Sequence, residues 1–244
     1  MSERGADVHE RRRRFLLHAL TSGLLAGGLG WNVRALAALF GKLPSKMPAG
    51  RSVFEVQGEV RADGRKVTPD TVLTAESRLE SSAGAYLILV VGDAAFLLRE
   101  NSTLQFSGQR SLVRGLQLVT GALLSVFGHR QDADAVQVRT PVASLGIRGT
   151  GFYTEAAADR TYFCTCYGRT LISSVAAPQE SEEIVSRHHD APRYILAAPE
   201  GGRHIVPAPF KDHTDLELMT LEALCGRKVP FVDSGDYGAP RRDY

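Results

Sequence analysis

The chain has 244 residues, enough for one sizeable folded domain with extensions, and its 43% hydrophobic and 23% charged content is ordinary for a globular protein. The formal charge of +2 arises in residues 1–37, which hold six arginines and three acidic residues, whereas the remainder has 23 basic and 24 acidic residues. Because no basic patch interleaved with aromatic residues is left, the sequence argues against a nucleic-acid partner.

Residues 1–37 are predicted to be a helical export signal or membrane anchor. A basic run is followed by a weakly apolar stretch to Trp31, and Ala35-Leu-Ala37 fits an A-x-A cleavage site. Four residues match the twin-arginine core R-R-x-F-L, which directs the export of folded proteins: Arg12, Arg13, Phe15 and Leu16. The alternatives are an uncleaved anchor, which would be the contact with the membrane, or neither. The predicted location is the periplasm, with inner-membrane anchoring if the signal is not cleaved.

Residues 38–51 are predicted to be a linker, and residues 52–176 a β domain. In the β domain, short apolar or alternating runs are broken by turn residues, as is typical of strands. Asp63-Gly64 and Gly92-Asp93 are predicted hairpin turns. About ten or more short strands without intervening helices predict a mainly β fold, an antiparallel sandwich or roll.

The stretch Thr140–Phe152, TPVASLGIRGTGF, combines three glycines and one arginine in a strand-like pattern. At a period of two, Gly146, Arg148 and Thr150 share one face and Gly149 lies on the other, and the small residues allow a bulge or a close backbone approach. The guanidinium of Arg148 could bind a carboxylate or another anionic ligand. Alternatively, Arg148 pairs with a buried acid or with carbonyl groups inside the domain.

This stretch resembles the T-P-x-A-x-x-G-x-R-G-T-x-F motif of FecR domains, the periplasmic signalling modules of bacterial iron-uptake regulators. Weaker similarity in three upstream segments extends the resemblance to residues 50–176: Val53–Val60, Gly92–Phe106 and Leu116–Leu124. The resemblance implies a non-catalytic binding, scaffolding or signalling module with a protein partner in the bacterial envelope. Family members usually also carry a membrane span and a cytoplasmic segment that controls a sigma factor. Ten residues precede Arg11, so we expect no cytoplasmic control domain there.

Two cysteines form the second unusual pattern. Cys164 and Cys166 are two residues apart in a predicted strand, so their thiols share one face. Two thiolates whose Cα atoms lie about 7 Å apart can hold one soft ion. With His188 and His189 they form a candidate Cys₂His₂ set for zinc, copper or another soft metal, or a redox sensor.

Other roles for these residues stay open. The cysteines could be buried structural thiols, or they could form a disulfide with each other or with Cys225. A Cys/His hydrolase is disfavoured, because the sequence shows neither a group that orients the histidine nor an oxyanion motif. We therefore expect no enzymatic activity.

Residues 177–244 are predicted to be a C-terminal extension with one short helix over 215–225. Thr214 and Glu217 have the spacing of a capping box, and Gly226 follows as a stop. Apolar residues at helical spacing form a stripe that we expect to dock on the β domain: Leu218, Leu221, Leu224 and Cys225.

Overall fold

The computed structural model describes residues 43–129, 135–149 and 151–233. The predicted signal helix lies outside these residues, and so do Thr150 and the four export-signal residues Arg12, Arg13, Phe15 and Leu16. None of the helices in the described part combines the length and the apolar character that a membrane span requires.

The described residues form fifteen strands and two helices. In chain order these are β1 (Val53–Gln57), β2 (Val60–Ala62), β3 (Arg65–Lys66), β4 (Arg78–Ser81), β5 (Tyr86–Val91), β6 (Ala94–Leu98), β7 (Thr103–Gln109), β8 (Leu112–Val126), β9 (Val136–Arg139), β10 (Ala143–Ile147), β11 (Gly151–Ala156), β12 (Arg160–Ser174), β13 (Ser181–Ser186), β14 (Arg193–Glu200), β15 (Arg203–Pro207), α1 (Asp215–Leu224) and α2 (Pro230–Asp233). The predicted turns at Asp63-Gly64 and Gly92-Asp93 connect β2 to β3 and β5 to β6.

The strands form two sheets that share the two long strands β8 and β12. The first sheet has the order β1-β5-β6-β8-β11-β12-β14-β15. The second has the order β3-β2-β4-β7-β8-β9-β10-β12-β13. The described pairs are antiparallel except β8 with β9, which is parallel. The predicted mainly β sandwich or roll is confirmed.

Two glycines lie where the long strands pass from one sheet to the other. Gly121 in β8 has φ of 89° and Gly168 in β12 has φ of 93°, a backbone region that L side chains rarely adopt. Residues 160–167 of β12 pair with β11 and β14, and residues 168–174 pair with β10 and β13. Each long strand therefore ties the two sheets together covalently.

The apolar side chains form two clusters, one on each side of the first sheet. The larger cluster contains the inward residues of both sheets, such as Leu89 and Phe96 of the first and Leu104 and Leu145 of the second. The smaller cluster lies on the opposite face of the first sheet, where helix α1 contributes Leu218, Leu221 and Leu224. Helix α1 thus covers a sheet face that would otherwise expose apolar side chains.

The chain after residue 176 contributes three strands as well as helix α1 and the short helix α2. The sequence analysis predicted only the helix, and α1 ends one residue before the predicted limit, with the capping box of Thr214 and Glu217 formed. The strands β13 and β14 pair with β12, and β15 pairs with β14. Four residues at the end of β14 are exposed, so its apolar alternation is too short to indicate a strand.

Candidate metal centre

Both cysteines of the predicted pair lie in the half of β12 that belongs to the first sheet. Cys164 and Cys166 are fully buried, and both belong to the smaller apolar cluster, under helix α1. All three cysteines of the chain, including the half-buried Cys225, are free thiols. The alternation of β12 therefore places two thiols side by side in a water-poor region.

A tight turn after β13 brings a histidine to these thiols. His189 has a φ of 55°, and its backbone N–H donates a hydrogen bond of 2.8 Å to the carbonyl of Cys166. The carboxylate of Asp190 accepts from the backbone N–H of Arg187 at 3.0 Å, which holds the turn. In this conformation the Nδ1 atom of His189 lies 3.6 Å from the Sγ atom of Cys164.

A second histidine, which the sequence analysis missed, completes the group. His213 precedes the N-cap residue of helix α1 and is buried, and its Nε2 atom lies 3.0 Å from Nδ1 of His189. The four potential ligand atoms of Cys164, Cys166, His189 and His213 all lie within 4.8 Å of one another. The structure thus brings together a Cys₂His₂ set from three separate segments.

His188, the other predicted ligand, lies beside this set. Its Nε2 atom is 2.9 Å and 3.0 Å from the two carboxylate oxygens of Asp215, the first residue of helix α1. The same carboxylate also lies 2.9 Å from Nε2 of His189. His188, His189 and Asp215 form a second potential ligand group that overlaps the first at His189.

The outer hydrogen bonds fix the tautomers of both central histidines. Because the carboxylate of Asp215 accepts, Nε2 of His189 carries a hydrogen, and Nδ1 is the ring nitrogen that faces the thiols and is available to a metal. The carbonyl of Lys211, 2.7 Å from Nδ1 of His213, accepts in the same way and leaves the lone pair on Nε2. Nδ1 of His189 and Nε2 of His213 therefore face each other across 3.0 Å, where a hydrogen on His189 joins them in the metal-free group and a cation that replaces this hydrogen would bind both nitrogens.

The electrostatics of the group favour a thiolate at Cys164. Burial alone would raise the pKa of the Cys164 thiol, but a hydrogen bond with Cys166 and the charge of His213 hold it well below its usual range. Burial would lower the pKa of His189, yet its hydrogen bonds with Asp215 and Cys164 raise it to about 9. Burial and the neighbouring Cys164 raise the pKa of the Cys166 thiol.

Asp215 is held in its charged form by the two histidines. Burial opposes ionisation of this carboxyl group, but the hydrogen bonds from His188 and His189 keep its pKa well below the usual range. Its position in the first turn of helix α1 adds a favourable interaction with the helix dipole. An ionised Asp215 is the acceptor that orients His189 toward the thiols.

Aromatic rings enclose the histidines. The ring of Phe210 lies 4.6 Å from the rings of both His189 and His213, and Tyr153 stacks on His213 at 4.6 Å with an interplanar angle of 21°. Hydrocarbon surroundings of this kind exclude water and strengthen the interaction of ligand atoms with a charge placed between them.

The order Cys164–His189–Asp215 also resembles the nucleophile, base and orienting group of a cysteine hydrolase. The sequence analysis found no orienting group, and the structure supplies one in Asp215. The Cys164 side chain, however, is 0% exposed. A substrate carbonyl must come within bonding distance of the sulfur, so burial works against this chemistry.

The glycine-rich motif lies in another part of the molecule. Gly149, with a φ of 70°, lies where the chain leaves β10 of the second sheet for β11 of the first, so the motif is two strands rather than one. Nη1 of Arg148 lies 3.3 Å from the carboxylate of Glu183, which is 46% exposed, so this acid partner is not buried. Gly146 has no neighbour closer than 3.8 Å to an added Cβ, whereas at Gly151 that atom would overlap the ring of Tyr167.

Comparisons with known proteins give limited similarity. Neither the models of protein families nor the curated proteins include a match to this chain. Among solved structures, two crystal structures of a candidate anti-sigma factor from Parabacteroides distasonis, at 1.65 Å and 2.50 Å resolution, are similar to it. Each match has 13% sequence identity and a TM-score of 0.44 and covers 54% of this chain. The match spans 58% of the length of that protein.

Proposed function

We propose that this protein is a non-catalytic metal-binding module that holds one soft transition-metal ion between Cys164, Cys166, His189 and His213. The observation that carries the proposal is the convergence of four buried ligand atoms within 4.8 Å, with Nδ1 of His189 and Nε2 of His213 turned toward one another.

The separations fit a tetrahedral ion. With metal–sulfur and metal–nitrogen bonds of about 2.3 and 2.05 Å, tetrahedral geometry places a sulfur and a nitrogen ligand about 3.5 Å apart and two nitrogen ligands about 3.3 Å apart. The corresponding distances are 3.6 Å between Cys164 Sγ and His189 Nδ1 and 3.0 Å between His189 Nδ1 and His213 Nε2. These two separations lie within about 0.3 Å of the tetrahedral values, and the set as a whole, within 4.8 Å, would close by up to about 1 Å around an ion.

Charge and geometry favour zinc over copper(I). Two thiolates neutralise a divalent ion, whereas a monovalent ion leaves one uncompensated negative charge in a buried site that already faces the carboxylate of Asp215. Tetrahedral sites with two sulfur and two nitrogen ligands are typical of zinc. Four protein ligands fill the coordination sphere, as in structural rather than catalytic zinc sites.

The setting we propose is the bacterial envelope, where the module would bind or signal to another protein. Support comes from the resemblance of Thr140–Phe152 to the FecR motif and from the twin-arginine pattern of residues 12–16. Export of a folded protein suits a domain that takes up its metal before it crosses the membrane.

The test is metal analysis of the purified full-length chain, followed by competition titrations with a chromophoric chelator. We expect one zinc ion per chain and weaker binding of copper(I). Cobalt(II) should give the intense visible bands of a tetrahedral ion with thiolate ligands. Cys164→Ser, Cys166→Ser and His213→Gln should each abolish stoichiometric binding.

Two matched variants serve as controls, because they change the same residue types elsewhere. Cys225→Ser alters a half-buried thiol at the end of helix α1, and His204→Gln alters a ring whose Nδ1 atom bonds to the carbonyl of Leu196. Both should bind zinc normally. Substoichiometric metal in the unmodified chain, together with stability that a chelator leaves unchanged, would contradict the proposal.

A further inference from the structure

We propose that the metal ion holds helix α1 and the N-terminal segment 43–51 on the first sheet, so that metal occupancy controls how firmly both are attached. This inference rests on the proposed metal site and adds a regulatory role for it. The inference rests on the two ends of helix α1. Its N-terminal end lies at the metal site, and its C-terminal end contacts the N-terminal segment.

The site lies at the N-terminal end of the helix. His213 directly precedes the N-cap residue Thr214, and Asp215 is the first helical residue. A metal bound by His213 and by the cysteines of β12 would join the helix entrance to the sheet through coordinate bonds. His189 adds a link to the turn after β13, and Asp215 reinforces that link through its hydrogen bond to His189.

The rest of the helix is attached by non-covalent contacts. Its apolar side chains Leu218, Leu221 and Leu224 pack on the sheet, and Glu217 forms a 2.8 Å ion pair with Arg99. A helix of ten residues is marginally stable by itself, so its order depends on this docking. Opening of the helix would separate His213 from the thiols, which makes opening and metal release linked events.

The C-terminal end of the helix carries the N-terminal segment. The backbone N–H of Met47 donates a 2.9 Å hydrogen bond to the carbonyl of Leu224. Met47 also packs against the smaller apolar cluster, and Lys46 lies against Gly226 just after the helix. Loosening of helix α1 would therefore remove the surface on which this segment rests. The segment follows the predicted export signal or anchor. Metal occupancy would therefore change how firmly the chain is held where the domain joins that element.

The experiment is amide hydrogen exchange of the full-length protein, measured by mass spectrometry with zinc and with excess chelator. With free zinc at a hundred times its dissociation constant, linkage slows exchange through opening of the site by up to about a hundred-fold. We expect this slowing in peptides from 214–225 and 43–51. Exposed amides in the turn at Asp63-Gly64 of the second sheet, which exchange by local fluctuation rather than by unfolding of the domain, should exchange at the same rate in both conditions.

Variants separate the two proposals. His213→Gln should remove the zinc-dependent slowing in both peptides, and His204→Gln should retain it. If zinc binds stoichiometrically but exchange in 214–225 and 43–51 does not change, the attachment role is wrong and the metal site stands. If the helix peptides respond and 43–51 does not, the link to the N-terminal segment is wrong. If no metal binds, the metal site and the attachment role are both wrong.

Discussion

At the scale of single residues, the candidate centre depends on groups that do not themselves supply ligand atoms. The carboxylate of Asp215 and the carbonyl of Lys211 accept the outer ring hydrogens of His189 and His213. Each acceptor orients its ring so that the inner nitrogen is the one available to a metal. These contacts distinguish the two adjacent histidines. His188 bonds to Asp215, whereas His189 reaches both Asp215 and Cys164 and is therefore placed as a ligand.

Asp215→Asn should therefore weaken zinc binding by about 10- to 100-fold without abolishing it. An amide can present its NH₂ group to His189 and so favour the wrong tautomer, while the four ligands stay in place. The measurement is a chelator competition titration. Asp212→Asn is the matched control, since Asp212 is 61% exposed and pairs only weakly with Lys211. Equal affinities of the two variants would show that Asp215 does not orient the site.

The sequence predicted part of this centre. Alternation in a strand was enough to place Cys164 and Cys166 on one face, and the histidine pair downstream included one member of the group. His213 was missed because β14 and β15, which return the chain to the site, carry too little apolar alternation to be recognised. The available signal for this ligand was its position next to the capping-box residue Thr214. The N-terminus of a helix has a fixed position once its apolar stripe is docked, so a histidine there is also held in place.

At the scale of elements, the glycine-rich motif joins the two sheets. The sequence pattern indicated one strand in which small residues admit another backbone. The structure shows that β10 and β11 lie in different sheets and that the close neighbour of the motif is the ring of Tyr167 against Gly151. Gly149 serves a different purpose, because its φ of 70° turns the chain between the sheets.

Gly151→Ala should lower the free energy of unfolding by about 1–3 kcal/mol, because the added methyl group would overlap the buried ring of Tyr167. Thermal or denaturant unfolding of the variant measures the effect. Gly146→Ala is the matched control in the same motif. Its new methyl group has ordinary clearance, so stability should stay within about 0.5 kcal/mol of the parent. A larger loss at residue 146 than at residue 151 would contradict this description of the motif.

At the scale of the whole molecule, the helix, the first sheet and the second sheet form successive layers. Fold class could be predicted from the density of short strands and turn residues, because that pattern is local. The sharing of β8 and β12 between two sheets could not, since it depends on where Gly121 and Gly168 bend the chain relative to distant partners.

Removal of zinc should destabilise the whole domain. With free zinc a thousand times above its dissociation constant, binding to the folded state alone adds about 4 kcal/mol to the free energy of unfolding, so a chelator should lower Tm. Differential scanning calorimetry with and without chelator measures the change. Cys164→Ser should show no zinc-dependent change, and a Tm of the parent that is independent of zinc would contradict the metal-binding function.

Export provides a separate prediction for the complete chain. Replacing Arg12 and Arg13 by lysine should retain the protein in the cytoplasm, because the twin-arginine pathway requires this pair. Fractionation of cells that produce the two forms measures the distribution. Lysine preserves the positive charge, so unchanged delivery of the double variant to the periplasm would mean that charge alone is sufficient and that another route exports the protein.

The wide spacing of the four ligands along the chain has a consequence for biosynthesis. Cys164 and Cys166 are translated well before His189 and His213, so a nascent chain contains the two thiols before any histidine can close the site over them. During that interval the thiols are open to oxidation or to capture of a metal by sulfur alone. Correct loading would then depend on a reducing compartment during translation and on the later arrival of His213 with helix α1.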